Sequence, residues 1–306
     1  MPKFPKIAVI VVLGLPPTAR AHGPSPENGA TLFPGGALFA YNSIFMSRSA
    51  ARDGLPLQEG MRPTFEHERL FTFSWGIRRD LQFTAQLPVA TRRLDLPPRA
   101  EEGGTGIGDL ELQLKYRFLR RDSDRGTTQA SLSIGPKLPT GRTNVRDSVG
   151  TILPAALQPG SGSTDLALGA YWTYTGLFHV KRLVADASVQ HLRRTEGTQD
   201  VRLGDTTDAN FWISYRPYQT QAIGREWFIG PGVTWRRMGA DRLRGGAIAA
   251  TVDNVLWLGI TNYFSPKGGI VLWLSVDFPV AERTAMPLRM GRRFNVGLAK
   301  QFSIHR

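Results

Sequence analysis

Residues 106–120, GIGDLELQLKYRFLR, carry the clearest structural pattern in this chain of 306 residues. After two glycines and an aspartate, apolar and polar side chains alternate strictly: Leu110, Leu112, Leu114, Tyr116 and Phe118 stand between Glu111, Gln113, Lys115 and Arg117. Because successive side chains of a β-strand point to opposite faces, one face of this strand is apolar and the other is polar. A half-buried sheet of a soluble protein gives this pattern, and so does a membrane barrel with lipid outside and water inside.

The composition of the whole chain favours the barrel. Mean hydropathy is −0.21, and 41% of the residues are hydrophobic, which suits strands that are apolar on one face only. The absence of cysteine excludes disulfides and thiolate metal sites. The net charge of +13 comes mostly from arginines spread through loops and strand ends rather than from a dense basic tract. We therefore expect no nucleic-acid partner.

The N-terminus has the three parts of a secretory signal peptide. Lys3 and Lys6 form a basic region, and residues 7–15 (IAVIVVLGL) form an apolar core that is too short to cross a bilayer. The small-x-small sequence of residues 19–21 (ARA) is a cleavage site. The mature chain is therefore predicted to begin at His22.

The sequence divides into three parts on this basis. They are a signal peptide (1–21), an irregular Pro- and Gly-rich lead-in (22–36) and a single barrel domain (37–306). No later stretch contains the ~20 consecutive apolar residues of a membrane helix. Export together with a barrel predicts a location in the cell outer membrane of a Gram-negative organism.

The barrel domain contains segments of alternating character that are separated by turn residues. We count twelve: 37–46, 67–77, 81–90, 107–119, 127–138, 163–175, 178–191, 204–215, 224–236, 250–263, 269–279 and 292–304. Their connections alternate between long and short, as extracellular loops and periplasmic turns do in outer-membrane barrels. The turn at 176–177 is predicted to be minimal, and the apolar run 255–258 leaves the register of its strand undetermined. The predicted fold is all-β, a closed antiparallel transmembrane β-barrel of about twelve strands.

The polar faces of these strands predict a lumen of mixed charge. The candidate lumen-lining residues, which would form a solute path, are Asp109, Glu111, Lys115, Arg117, Asp165, Asp186, Asp208 and Glu226. Because like charges repel, we expect Asp109 and Glu111 to pair with a lumenal Lys or Arg of a neighbouring strand. A twelve-stranded lumen is narrower than that of a general porin. The charged network either leaves a narrow passage or plugs the lumen.

Three predicted descending strands repeat an aspartate that is followed seven residues later by an aromatic: Asp109/Tyr116, Asp165/Trp172 and Asp208/Tyr215. Because seven is odd, the aspartate faces the lumen and the aromatic faces lipid. At ~3.3 Å per residue the aromatics lie roughly one membrane thickness from the aspartates, at the periplasmic interface that Tyr and Trp favour. The predicted periplasmic aromatic girdle consists of Tyr116, Phe118, Trp172, Tyr174 and Tyr215.

Three predicted ascending strands end in an apolar residue and a proline, at Pro88, Pro139 and Pro279. Proline cannot donate to the strand ladder, so we expect each of them where pairing ends. An arginine follows each one at the predicted height of the lipid headgroups: Arg92, Arg142 and Arg283. We interpret these arginines as solvated loop residues, with contact to anionic lipid groups as the alternative.

These motifs together resemble the outer-membrane proteins of the "MetA-pathway of phenol degradation" family, which are often described as transporters. The matching residues are GxGDL at 106–110, KYRF at 115–118, KLPTG at 137–141 and GSGSTDLALG at 160–169. The resemblance covers most of the mature chain and is strongest from residue 71 to residue 174. It implies an outer-membrane barrel that takes part in the uptake of aromatic or other hydrophobic compounds.

The sequence leaves three functions open. The first is a channel without enzymatic activity, for passive uptake of small hydrophobic or aromatic solutes, and the second is a closed structural or interaction barrel that acts through its long loops. The third is a hydrolase at the rim, which needs a Ser and a His close together on the lipid face. His191 has no evident serine partner, and His67 with Glu66 and Glu68 forms a conceivable rim metal or protease cluster.

The expected partners follow from the barrel. They are outer-membrane lipid and lipopolysaccharide, the barrel-assembly machinery and the small solute. We expect no cofactor and no metal. The chain ends four residues after Phe302, whereas outer-membrane barrels usually end on the aromatic residue that the assembly machinery recognises.

Overall fold

The computed structural model describes residues 28–50, 63–94, 102–147, 149–220, 225–248, 251–266, 268–284 and 288–304. The predicted signal peptide, its cleavage site and the first residues of the lead-in lie outside the described residues. None of the helices in the described part of the chain is long and apolar enough to span a bilayer.

The chain forms one closed antiparallel barrel of twelve strands. In chain order the strands of the molecule are β1 (Gly36–Ala50), β2 (Phe65–Arg78), β3 (Leu81–Leu94), β4 (Glu102–Ile107), β5 (Leu110–Ser123), β6 (Gly126–Leu138), β7 (Asp165–Thr175), β8 (Leu183–Arg193), β9 (Val201–Arg202), β10 (Thr206–Thr220), β11 (Arg225–Met238), β12 (Asp241–Leu243), β13 (Gly246–Ile248), β14 (Asp253–Ser265), β15 (Ile270–Glu282) and β16 (Leu288–Ser303). Neighbours in sequence pair around the barrel, β4 and β5 together make one crossing, and β1 closes the ring by pairing with both β2 and β16. Closure pairs the long barrel strands on both sides, whereas the short β4 pairs with β3 alone.

The short strands β9, β12 and β13 form a separate three-stranded sheet within the long connections 194–205 and 239–252. Long connections gather at this end of the barrel, which we take as the extracellular end, and the tighter turns gather at the other. Gly204 N–H donates to Asp241 at 2.7 Å and links the two long connections.

The alternating residues 110–118 of β5 have the predicted faces. On β5, Leu114, Tyr116 and Phe118 are 47%, 47% and 56% exposed, whereas Lys115 is buried. The same alternation runs along β14 and β15, where Leu258, Ile260 and Leu274 are also about half exposed. These apolar side chains form the lipid-facing belt of the barrel.

Two of the three prolines lie at interruptions of pairing rather than at strand ends. At Pro88, strand β3 changes partner, since it pairs with β5 up to Gln86 and with β4 from Val89 onward. Pro279 flanks a bulge in the pairing of β14 with β15. The prediction that pairing ends at proline was therefore wrong for both residues, because a bulge or a change of partner absorbs the missing N–H. It is confirmed for Pro139, which follows the last residue of β6.

The predicted minimal turn at 176–177 was also wrong. A 3-10 turn at Leu177–His179 lengthens the connection, and β8 begins only at Leu183. Phe178 and His179 both have positive φ there, a conformation that the residue types of this stretch do not predict. Several strands also extend beyond their predicted bounds at the extracellular end.

Candidate functional site

The described part of the lead-in before β1 occupies the periplasmic part of the barrel interior. Asn28 accepts a hydrogen bond from the Lys115 ammonium through its backbone carbonyl. Gly29 N–H donates to Thr173 Oγ1 at 2.8 Å, and Leu32 N–H donates to Gln82 Oε1 at 2.9 Å. Residues 28–33 therefore contact the inner faces of β3, β5 and β7 near their periplasmic ends. We call this stretch the plug segment.

Gly29 is the point of closest approach between the plug segment and the wall. A Cβ built on Gly29 would lie 2.5 Å from the Gln129 carbonyl oxygen and 2.9 Å from the Thr173 nitrogen. Both are backbone atoms that a small side-chain movement cannot clear. Ser131 Oγ also donates to the Gly29 carbonyl, so the segment is bonded to adjacent strands β6 and β7. Only glycine fits this close approach.

Two of the predicted lumen residues lie directly beside the plug segment. Thr173 Oγ1, the acceptor for Gly29, donates in turn to Asp186 Oδ1 at 2.6 Å. The Lys115 ammonium lies 4.4 Å from the centroid of the Tyr171 ring, a cation–π distance. Arg117, lower on the same strand, donates to Gln129 Oε1 at 2.8 Å. The inner faces of β5 to β8 form a polar wall that holds the plug segment.

A second group of predicted residues surrounds Lys137 at the extracellular end. The Lys137 ammonium lies 2.6 Å from Asp109 Oδ2 and 2.8 Å from Asp165 Oδ2, and all three side chains are at most 9% exposed. The expected ion pair of Asp109 with a lumenal base is thereby confirmed. Glu111 instead accepts from the Gln113 amide of its own strand.

The Lys137 cluster also fastens the long connection 139–164 over the extracellular mouth. Asp109 accepts from Gly141 N–H at 3.0 Å and from Ser161 N–H at 2.9 Å, so one carboxylate holds both ends of the connection. Gly141 and Gly160 lie so close that a Cβ on either one would approach the other's backbone at 2.6 Å. Leu153 and Leu157 of the connection pack on Leu94.

The remaining predicted lumen residues lie apart from these groups. Asp208 pairs with Arg236 on the neighbouring strand, at 2.6 Å between Oδ1 and Nε. Glu226 lies on the inward-facing side of β11, near its periplasmic end. The predicted path residues thus form two groups on the polar wall, one cross-strand pair and one separate residue.

Asp205 stabilises the long connection 194–205 at the extracellular end. Asp205 accepts from Arg194 N–H at 2.7 Å and lies 3.1 Å from the Arg202 guanidinium. Partial burial raises the pKa of Asp205, but these hydrogen bonds and the guanidinium charge together lower it below its ordinary value. The carboxylate therefore stays ionised and keeps the connection 194–205 folded back on itself.

Opposite the polar wall, two hydrophobic clusters face the interior. Near the extracellular end they are Met46, Val255, Trp257 and Met290, and near the periplasmic end Val184, Phe228, Tyr263, Val271 and Ala299. Trp257 is completely buried, and the rings of Phe228 and Tyr263 meet edge to face at 5.5 Å. Except for Val184, these residues come from β1, β11, β14, β15 and β16. We call them the apolar wall.

The sequence prediction of a lumen of mixed charge did not include the apolar wall. Its signal was the run 255–258, whose undetermined register is now resolved: Val255 and Trp257 face the interior, and Leu256 and Leu258 face outward. Where both faces of a strand are apolar, alternation carries no information about facing.

The predicted girdle residues lie on the outer face near the periplasmic end. Tyr116, Phe118 and Tyr215 are 47%, 56% and 42% exposed. Trp172 and Tyr174 stack on each other with their centroids 6.2 Å apart. Lys300, a charged residue on this otherwise apolar face, donates to the Gly268 carbonyl of the last periplasmic turn at 2.5 Å.

The conceivable rim cluster of His67 with its two neighbouring glutamates does not form. Glu66 faces inward and pairs with Arg48 at 3.0 Å, whereas His67 faces outward, because adjacent residues of a strand point to opposite faces. Among the described residues there is no group of three or more His, Asp or Glu side chains that fits a metal ion.

His67 has a serine neighbour that the sequence analysis missed. Ser43 Oγ lies 2.8 Å from His67 Nε2 on the outer face, and His67 stacks on Phe45 with centroids 4.1 Å apart. Pairing of β1 with β2 brings these residues together across 24 positions, which no local sequence signal shows. His191, for its part, contacts Thr207 Oγ1 at 2.9 Å.

Arg92 corrects the interpretation of the three post-proline arginines as solvated loop residues or as contacts of anionic lipid groups. It faces inward, and its guanidinium donates to the Gln158 carbonyl of connection 139–164. Since β3 continues to Leu94, the period of two determines its face, and Arg92 falls on the inward side.

The sequence of the chain matches a family model described as "Putative MetA-pathway of phenol degradation" over residues 59–283. The chain belongs to this family. The matched region extends from the connection before β2 to the end of β15, so it includes both the Lys137 cluster and most of the apolar wall. No curated protein matches the chain in sequence.

Solved structures share the barrel of this phenol-degradation family member. An outer membrane channel from Pseudomonas putida F1 is 14% identical, with 91% of this chain and 99% of that chain covered and a TM-score of 0.64. The NanC porin is 8% identical, with coverage of 86% and 98% and a TM-score of 0.46. The beta domain of the Bordetella autotransporter BrkA is 11% identical, with coverage of 87% and 100% and a TM-score of 0.47.

Proposed function

We propose that the chain is a passive outer-membrane channel for small hydrophobic or aromatic solutes. The observation that carries the proposal is the apolar wall, which places Trp257, Phe228 and Tyr263 inside a barrel whose outer face already meets lipid. Apolar and aromatic side chains that face a lumen provide contacts for an apolar solute.

The buried indole of Trp257 adds a polar contact for such a solute. Its Nε1–H is buried and has no hydrogen-bond acceptor among the described residues. A buried donor without an acceptor is costly, by about 1–3 kcal/mol. The oxygen of a hydroxylated aromatic solute would serve as that acceptor, so the proposed solute class includes phenols.

The plug segment would control passage. It occupies the periplasmic part of the lumen through hydrogen bonds of Asn28, Gly29 and Leu32 rather than through a large hydrophobic contact. A neutral bond of this kind contributes only about 0.5–1.5 kcal/mol and the one from the Lys115 ammonium about 1.5–3 kcal/mol, so displacement of the segment is energetically accessible. We expect a small conductance with the segment in place and a larger one without it.

Planar-bilayer recording tests the channel. Deletion of residues 22–33 after the signal peptide should raise the single-channel conductance severalfold, and millimolar phenol should reduce the current.

Trp257→Phe, which keeps an aromatic ring and removes the N–H, should weaken the block by phenol more than the block by toluene. Absence of current from both the wild-type and the deleted protein would refute the channel and leave a closed structural or interaction barrel.

The pair of Ser43 and His67 favours a second candidate, a hydrolase of lipid esters at the membrane. A Ser–His hydrogen bond activates a nucleophile when a third group orients the imidazole. Here only the ring stacking of Phe45 orients His67 among the described residues. We therefore favour the channel, and we expect the wild-type protein and Ser43→Ala to release fatty acid from phospholipid vesicles at the same rate, that of vesicles without protein.

The proposal includes a route to the membrane. An N-terminal signal peptide would direct export, and the barrel-assembly machinery would recognise the last strand, whose Phe302 stacks on Phe39 at 5.6 Å across the closing seam. The outer leaflet around the barrel would contain lipopolysaccharide.

A further inference from the structure

A row of three polar side chains crosses the outer face of β11, β14 and β15 at the extracellular end. Arg237 stands opposite Asn254 in the strand register. Asn254 in turn exchanges two backbone hydrogen bonds with Arg283, at 2.8 and 3.2 Å. Residues opposite each other in neighbouring strands share a face. The face is the outer one, since Asn254 has the same parity as the exposed Leu258 and Ile260.

This row forms the upper part of a cavity of about 420 Å³ in the outer wall. Its lining is Trp235, Arg237, Val252, Asn254, Arg283 and Thr284. Trp235 lies one pleat below the row, and its Nε1–H donates to Asn254 Oδ1 at 2.5 Å, which fixes the indole at the base of the cavity. The cavity thus has two guanidinium groups at its extracellular side and an aromatic ring toward the membrane.

The described residues neutralise neither guanidinium. None of the ion pairs between described residues involves Arg237 or Arg283, whereas Arg236 and Arg293, which face inward, both have an aspartate partner. Arg292 extends the positive charge along the same face, with its guanidinium 5.3 Å from the centroid of Phe278. Two guanidinium groups that line the same cavity match the oxygens of a phosphate group.

Directly below the cavity the wall is apolar. Leu258 and Ile260 are 48% and 58% exposed, and Phe278 and Val280 are 44% and 51% exposed. A ligand that lay in the cavity and continued toward the membrane centre would therefore contact hydrocarbon-compatible surface over its whole remaining length. Free phosphate would use only the guanidinium groups.

We infer that this cavity is a binding site for the phosphate of an outer-leaflet lipid, whose acyl chains lie on Leu258, Ile260, Phe278 and Val280. The height fits, because Arg237 and Arg283 lie at the extracellular ends of their strands, where anionic headgroups are located. Arg283 is thus a lipid contact rather than merely a solvated loop residue. The site is on the outside of the barrel and does not depend on solute passage through the lumen.

Native mass spectrometry of the full-length protein in detergent tests the site. With added bisphosphorylated lipid A, the wild-type protein should show lipid adducts, and Arg237→Gln/Arg283→Gln should reduce their abundance at least about tenfold, since two charge-assisted hydrogen bonds are removed. The matched control is Arg121→Gln/Arg125→Gln, the same charge change at exposed positions of the periplasmic end, which should leave the adducts unchanged. Slower migration of boiled than of unboiled samples on a gel confirms that each variant is folded.

Two further arms distinguish the source of the phosphate. Lipid A without phosphate should form no adducts above background, and inorganic phosphate at 1000-fold excess should displace little of the bisphosphorylated lipid. Equal adducts with the dephosphorylated lipid, equal loss in the control variant, or wild-type binding by the double variant would overturn the site. Complete displacement by inorganic phosphate would overturn its assignment to a lipid.

Discussion

The two walls of the lumen are built on different physical principles. The polar wall places charges in buried positions and pairs several of them with opposite charges, as Lys137 does for Asp109 and Asp165. The apolar wall packs Trp257, Met46 and Met290 as a soluble protein packs its core. On the polar wall, removal of one partner leaves the other charge buried and uncompensated, so a single substitution is strongly destabilising. On the apolar wall, the loss of stability grows with the side-chain volume that a substitution removes. A barrel that combines them can fix its loops and plug on one side and offer an apolar surface on the other.

The largest effect is expected on the polar wall, from Lys137→Met. The change leaves Asp109 buried without a cation and Asp165 with only the Arg194 guanidinium at 3.9 Å, and breaking a buried pair in this way costs about 3–5 kcal/mol. Urea titration of the folded barrel in detergent, followed by the gel shift between folded and unfolded forms, measures the loss. A matched change at exposed Lys300, Lys300→Met, should cost far less. Equal losses of unfolding free energy in the two variants would show that the buried Lys137 cluster contributes no more to stability than an exposed lysine does.

Trp257→Ala tests the apolar wall and should cost less than the change at Lys137. Truncation of a buried aromatic usually costs about 3–5 kcal/mol, but the interior beside Trp257 adjoins the lumen, so water can fill part of the cavity and we expect the lower end. The same urea titration applies. A loss larger than that of Lys137→Met would reverse the ranking of the two walls.

The smallest effect is expected outside the lumen, from Asp122→Asn. Asp122 pairs with Arg120 at 3.0 Å, but both side chains are more than half exposed. Exposed pairs contribute about 0–1 kcal/mol, so the urea midpoint should hardly move. If it moved as far as in the Lys137 variant, burial would not be what distinguishes the polar wall.

The sequence predicted the polar wall better than the apolar one for a physical reason. Asp109, Asp165 and Asp208 interrupt or flank alternating strands, and a charged residue on a strand that crosses a membrane has one favourable direction to point. Trp257 lies among apolar neighbours on both faces, so the period of two gives no direction. Its facing follows only from the pairing of β14 with β11 and β15.

The plug segment and the pair of Ser43 with His67 could not be read from local patterns either. Gly29 meets Thr173 across 144 positions of the chain, and the lead-in around it has no periodicity. Contacts of this kind depend on how the barrel closes. The number of strands predicts that the barrel is closed, but it does not determine the registers in which the strands pair. The alternation predicted which residues face inward, and the closed barrel decides which of them meet.

The position of Trp257 also allows the state of the lumen to be followed by tryptophan fluorescence. Trp75 and Trp227 are each 37% exposed on the lipid face, whereas Trp257 is fully buried in the interior. Lipids with brominated acyl chains should therefore quench the emission of the first two, and a quencher dissolved in water should reach Trp257 only when the lumen opens. Ratios of the two kinds of quenching would report the opening of the barrel in a vesicle without an electrode.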